Sequence, residues 1–214
     1  MVNPPRQAAA KRFADRIRAM HRDTEIVPYA WHPVTHAADD VANRGSRVPP
    51  GSPPQLGHLR DTQAVSVAWE VTTMCARAMQ ARRIVIETPP SFSPGALSRE
   101  RLTRFVEHLD SNLKLVWAPQ GLWTPATALE LAQKLGILLM WPAHEADRPI
   151  VLPHHSEHIW VCIEGVGRSK LLRPALAESI AETWFNKPPL AAVFAGPRAY
   201  GNLRTFAAAR ASLR

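Results

Sequence analysis

The sequence predicts an α/β fold, a TIM-barrel-like (β/α) arrangement with about six mainly parallel strands, and therefore a short or incomplete barrel. Three observations predict it. First, short apolar runs rich in β-branched residues end near Glu87, Trp117, Pro142, Glu164 and Gly196, and each gap between them holds one helical pattern. Serial alternation of this kind implies parallel strands joined by right-handed crossovers. Second, the runs are apolar almost throughout, as expected where helices cover both faces of a sheet. Third, a closed eight-stranded barrel usually takes about 250 residues, and this chain has 214, of which 46% are hydrophobic. That is enough for one sizeable core, so a single domain over residues 1–214 is expected.

The elements follow in order. Residues 5–22, PRQAAAKRFADRIRAMHR, place Phe13, Ile17 and Met20 at helical spacing with basic residues on the other face, which predicts an amphipathic helix. The stretch EIVPYAWHPVTH can hold a first strand, weakened by Pro28. Residues 42–60 are rich in Pro and Gly without periodicity and read as a long loop, a feature that in a compact domain is mobile or functional. Residues 64–81 favour helix. Ile84-Val85-Ile86 is too short for a helix, and Glu87, Pro89 and Pro90 stop it, because proline lacks the N–H a neighbouring strand needs. SRERLTRFVEHL aligns Leu102, Phe105, Val106 and Leu109 on one helical face, and LKLVWAP follows as a strand. TPATALELAQKLG is the clearest helix, with Thr124 as cap, Pro125 in the first turn and Gly136 at the end. ILLMWPA and HIWVCIEG are strands, PALAESIAETWF a helix, LAAVFAG a strand, and a last helix starts near Tyr200.

The formal charge of +8 and the pI near 10.3 would attract phosphate-rich partners. Most of the basic residues are Arg in a chain also rich in Ala and Pro, which coding bias explains as well, and no zinc-finger, RNA-binding or DNA-reading motif is present. No apolar run is long enough to span a bilayer, and the Arg-rich start lacks a secretory core. Cys75 and Cys162 have no paired spacing and read as small buried residues in a reducing compartment, so a cytoplasmic location is expected.

The order of these pieces resembles the YecE-like family, the barrel proteins grouped as domain of unknown function 72. The resemblance rests on WHPVTHAADD, on RRIVIETPPSFSPGALSRERLTRFVEHL with its Pro-Pro-Ser-Phe piece, and on LKLVWAPQGLW, GILLMWPA, HIWVCIEG and LAAVFAGPRAYGNLRTFAA. It spans roughly residues 25 to 210. The Gly-rich early strands of the family are missing, and its polar mouth residues are replaced at Val116-Trp117-Ala118-Pro119, Cys162-Ile163-Glu164-Gly165 and Ala195-Gly196-Pro197. The family carries no established reaction. The resemblance therefore implies a fold, a site at the barrel mouth and a degenerate active site, hence a non-catalytic binding protein for a protein partner or a small anionic ligand.

In parallel (β/α) folds functional groups gather at the C-terminal strand ends. On that rule the ligand-binding candidates are Thr35, His36, Glu87, Trp117, Trp123, Glu164, Arg198 and Asn202. Glu87 and Glu164 would make an acid–base pair if burial separated their pKa values; the plainer reading is that each caps a loop or pairs with an Arg. That pair with His36 defines the alternative, a hydrolase or phosphodiesterase. His32 and His36 stand four apart, and HHSEH supplies His154, His155 and His158. Pro33 and Pro153 argue against regular helices there, no third ligand has diagnostic spacing, and no metal or other cofactor is expected. EGVGRSK and AGPRAYGN follow strands and could hold phosphate with Arg168, Lys170 and Arg198, yet neither completes a nucleotide-binding loop. Trp123 precedes a helix cap, where it lines a pocket or staples the helix. Possible partners are therefore a protein, a second copy of the chain or a small anion; nucleic acid through Arg12, Arg16 and Arg18 is the weaker reading, and nothing points to a membrane.

Overall fold

A computed structural model describes residues 3–20, 22, 24–44, 47, 55–109, 112–151, 156–184, 186 and 188–213. The chain divides into two compact units. One comprises residues 1–123 with 134–137, the other residues 124–133 with 138–214.

In the first unit, α1 (Gln7–Met20) packs on α2 (Gln63–Ala78). The sequence places Phe13, Ile17 and Met20 on the apolar face, but the buried residues of α1 are Ala10 and Ala14, set against Cys75 and Met79. Phe13 and Met20 are 54% and 61% exposed. Small side chains one turn apart let the two helix backbones approach closely, which longer side chains would prevent. α2 is made the same way: Thr62 caps it by accepting from Val65 N–H at 3.3 Å, and its buried face is Ala64, Val65, Ala68, Thr72, Cys75 and Ala76.

β1 (Arg83–Thr88) and β2 (Lys114–Pro119) pair in parallel with Glu87 opposite Ala118, and α3 (Ala96–Glu107) connects them. Both strands bury their middle residues on both faces, as the continuous apolar runs require. The expected strand in residues 25–36 does not form. What remains is one bridge from Tyr29 to Val85, in which Ala30 N–H donates to Val85 O and Val85 N–H to the Pro28 carbonyl. Pro28 can accept but not donate, and Pro33 starts a 3-10 turn at His32–Val34, so the ladder has no room to propagate.

α4 (Pro125–Lys134), of which all but Lys134 belongs to the second unit, begins as its sequence dictates: Thr127 N–H donates to Thr124 Oγ1 at 3.2 Å, and Gly136, past its end, takes φ +66°. β3 (Leu138–Pro142) is followed by a short antiparallel hairpin, β4 (His144–Glu145) and β5 (Arg148–Pro149), which the periodicity does not announce. β6 (Ile159–Ile163) pairs in parallel with β3 on one side and with β7 (Ala191–Phe194) on the other. α5 (Pro174–Thr183) and α6 (Ala199–Ala211) pack on each other. Among the described residues the parallel strands thus number five rather than six, and the class is α/β. No helix among them is long and apolar enough to cross a membrane.

Candidate functional site

Beyond the C-terminal end of β1, the first unit gathers three histidines. The 3-10 turn that Pro33 imposes presents His32 and His36 from one side of a tight loop, their rings 5.1 Å apart. Thr35 and His36 are both buried, and Thr35 Oγ1 lies 2.8 Å from His36 Nδ1. Taken out of water, an imidazole resists protonation. Burial accordingly pushes His36 down to about 4, with the Asp40 carboxylate opposing the shift. His32 is lowered for the same reason, against the carbonyl of Ala42 that faces its Nδ1 at 2.6 Å. Both rings are neutral near pH 7, so this pair is a hydrogen-bonding surface rather than a cationic one.

The third histidine arrives from the far end of the Pro/Gly-rich loop. Gly57, His58 and Leu59 all lie in the left-handed region, at φ +73°, +53° and +52°. Two consecutive non-glycine residues there cost on the order of 1 kcal/mol or more each. The cost is offset by a clamp: Gly57 N–H donates to Pro33 O, His58 N–H to Thr35 O and Leu59 N–H to Val34 O. Asn43 closes the other side, its Nδ2 donating to the carbonyls of His36 and Ala37 while its buried Oδ1 has no partner. His58 is thereby held with Nε2 at 2.9 Å from the hydroxyl of Ser91. Desolvation lowers the His58 pKa, and the charges of Arg60 and Arg101 add to it.

Ser91 sits in a turn closed by Phe92 N–H to Pro89 O, which leaves Ser91 exposed and Phe92 buried. Phe92 in turn anchors the aromatic floor. Its carbonyl accepts from Trp123 Nε1 at 2.6 Å, Trp123 packs edge-on against Trp117 at 4.8 Å, and Trp117 Nε1 donates to Thr88 Oγ1 at 3.1 Å. Arg99 lies over the Trp123 ring at 5.3 Å. Glu87 is half-buried at the strand end and accepts from Gln120.

Five of the candidates named by the sequence, Thr35, His36, Glu87, Trp117 and Trp123, therefore fall in this unit. Trp117 is fully buried and Trp123 nearly so, which makes them the packing beneath the loops. Sequence reasoning did not single out His58, Ser91, Asn43 or Arg101. The available signal was Gly57 at the exit of the Pro-rich stretch, since a glycine there allows a left-handed turn.

Glu164, Arg198 and Asn202 belong to the second unit. Glu164 and Arg198 are exposed. Asn202 is buried and fully engaged: Oδ1 accepts from Leu172 N–H at 2.8 Å and Nδ2 donates to Lys170 O at 3.2 Å. Gly165 lies against that same loop, where an added Cβ would overlap the Lys170 carbonyl. His154 and His155 lie outside the described residues; His158 is exposed, 3.9 Å from Glu157. Among the described residues no three His, Cys, Asp or Glu side chains converge as a metal site.

With the fold and this cluster defined, the class is an α/β protein of parallel strands whose polar groups gather at strand ends. Comparison with solved structures adds a likeness of fold. A solved structure of a DUF72 family protein from Enterococcus faecalis V583 is similar in fold, with a TM-score of 0.60 over 98% of this chain and 80% of that chain, at 6% sequence identity. No family model matches the chain, and no curated protein matches it.

Proposed function

We propose that this chain is a binding protein built on an incomplete (β/α) barrel, with its site in the first unit and a small anion as its ligand. The observation that carries the reading is the grouping around His58. The Ser91 hydroxyl stands 2.9 Å from the ring, and the charges of Arg60 and Arg101 act on that ring. Arg101 is partly buried, its own pKa is lowered by desolvation and by Arg60, and it makes no ion pair with a described residue. The charges of Arg60 and Arg101 act on His58 and on each other, opposed by Glu100 at Arg101 and by Asp39 and Asp40 at His58, and a bound anion would relieve the desolvation and the repulsion. Neutral imidazoles and a hydroxyl supply the hydrogen bonds that fix its orientation.

The experiment is a titration of the histidine ring resonances by 1H–15N correlation spectroscopy, with inorganic phosphate and separately with acetate, at constant ionic strength and pH 7. A saturable shift at His58, lost in Arg101→Ala, is expected. Resonances that stay still to tens of millimolar, or that move equally with chloride, would reject the site.

A further inference from the structure

We propose that Ser91 is a nucleophile served by His58, giving the protein an acyl-transfer activity on small esters that carry an anionic group. The inference rests on the anion site above for the placement of the ester and adds a reaction to it.

Three features of the geometry support it. Ser91 occupies a turn whose ends are fixed, by Pro89 and Pro90 on one side and the buried Phe92 on the other, so its exposed hydroxyl is presented outward from a rigid base. A nucleophilic serine needs a base within about 2.6–3.2 Å, and His58 Nε2 lies at 2.9 Å. The base is held in place at an energetic cost, by the left-handed turn at residues 57–59 and its three backbone hydrogen bonds. Strain of this sort persists where the surrounding structure enforces one side-chain position, and it clusters at working sites.

The reaction balances without any further reagent than water. With the proton of the His58 ring on Nδ1, Ser91 O–H donates to Nε2. Ser91 Oγ attacks the ester carbonyl carbon as its proton passes to Nε2. The carbon–oxygen bond to the leaving alcohol then breaks, and His58 returns the proton to the departing oxygen. Water, deprotonated by the same nitrogen, attacks the acyl-serine and releases the carboxylic acid with Ser91 restored. The positive charges of Arg60 and Arg101, which act on the His58 ring, favour substrates that carry an anionic group.

The test uses the full chain with 4-nitrophenyl acetate and with mono-4-nitrophenyl succinate, followed by peptide mass spectrometry. Release of nitrophenolate with an acyl group on Ser91 is expected, faster for the succinate. Ser91→Ala, an exposed position, should abolish the adduct, and His58→Gln should slow acylation on the order of 100-fold. The acylation rate should also climb with pH through a midpoint below the usual histidine range. No adduct, or an adduct that survives in Ser91→Ala, overturns the proposal. If His58 still responds to phosphate or acetate while no acylation occurs, the nucleophile is refuted and the binding reading stands; if neither occurs, both fall.

Discussion

The two units treat their buried polar groups differently. In the second, buried Asn202 spends both ends of its amide on the loop at residues 170–172, and the half-buried His144 sets Nδ1 and Nε2 against the carbonyls of Ala146 and Glu164 at 2.9 and 2.8 Å. In the first, Asn43 Oδ1 has no hydrogen-bond partner among the described residues, buried His36 is met by the Thr35 hydroxyl but is neutral near pH 7, and partly buried Arg101 feels Arg60 as well as Glu100. Buried polar groups in proteins are overwhelmingly satisfied, so those left over indicate where a ligand or water completes the structure. Both units hold a cavity, and neither cavity is lined by His58, Ser91 or Arg101. The first unit has one of about 280 Å³ with Arg60, Trp69 and Phe105 in its wall; the second has one of about 190 Å³ against Trp184 and Phe206. The unpartnered amide oxygen lies in the unit where the ligand site is proposed, and the comparison can be broken by experiment.

The largest expected effect separates packing from binding inside the first unit. Trp117→Ala removes a side chain with no exposed surface and breaks its bond to Thr88. A loss of roughly 3–5 kcal/mol in unfolding free energy is expected by urea titration. A loss below about 1 kcal/mol would mean that this indole is not core and return it to the list of ligand contacts.

A pH titration tests the buried histidines. The folded-state pKa of His36, about 4, lies below the unfolded value near 6.5. Between those two values the unfolded chain binds more protons than the folded one. Stability is therefore full above about pH 6.5 and declines as pH falls toward 4, by roughly 3 kcal/mol for a shift of this size. His32 and His58 act in the same direction. The urea midpoint should fall across this window, and His36→Gln should flatten the slope. An identical slope in that variant would show that the carboxylates, not His36, set the acid response.

Smaller in energy but more discriminating is a pair of glycine substitutions. A Cβ at Gly57 would lie closer than 3.0 Å to the His36 carbonyl and would sit at φ +73°, while one at Gly165 would meet the Lys170 carbonyl. Each alanine variant should lose about 2 kcal/mol or more. Only Gly57→Ala should also displace His58 from Ser91 and erase the anion response. Loss of that response in Gly165→Ala as well would show that the two units are not functionally distinct.

How much of this was legible in the sequence depends on the range of the contact that decides it. Ile84-Val85-Ile86, stopped by Glu87 and two prolines, declares its strand, and the Thr124, Pro125 and Gly136 markers declare α4, because local sterics and capping decide both. The region of residues 25–36 misled because a β-rich composition competes there with two prolines, and the prolines win. Phe13, Ile17 and Met20 misled because helical periodicity names the most apolar face, whereas the helix–helix fit chose the smallest one. The His58–Ser91 contact joins residues 33 positions apart and depends on a left-handed turn clamped to a third segment. No spacing rule reports such a contact, although the Pro-Pro-Ser-Phe piece that carries Ser91 stood out as a motif.

The smallest effect bears on the second unit. In Asn202→Ala the Leu172 N–H loses its acceptor and the Lys170 carbonyl its donor, while the helix that carries the residue keeps its backbone bonds. Leaving one buried donor unsatisfied costs about 1–3 kcal/mol, and the exposed side of the loop gives the Lys170 carbonyl access to water, so the lower half of that range is expected. If Asn202 is framework, its removal should raise hydrogen exchange at Leu172 and leave the His58 response to phosphate untouched. Should the phosphate response weaken instead with exchange at Leu172 unchanged, Asn202 would be a ligand contact after all, and the division of labour between the two units would have to be redrawn.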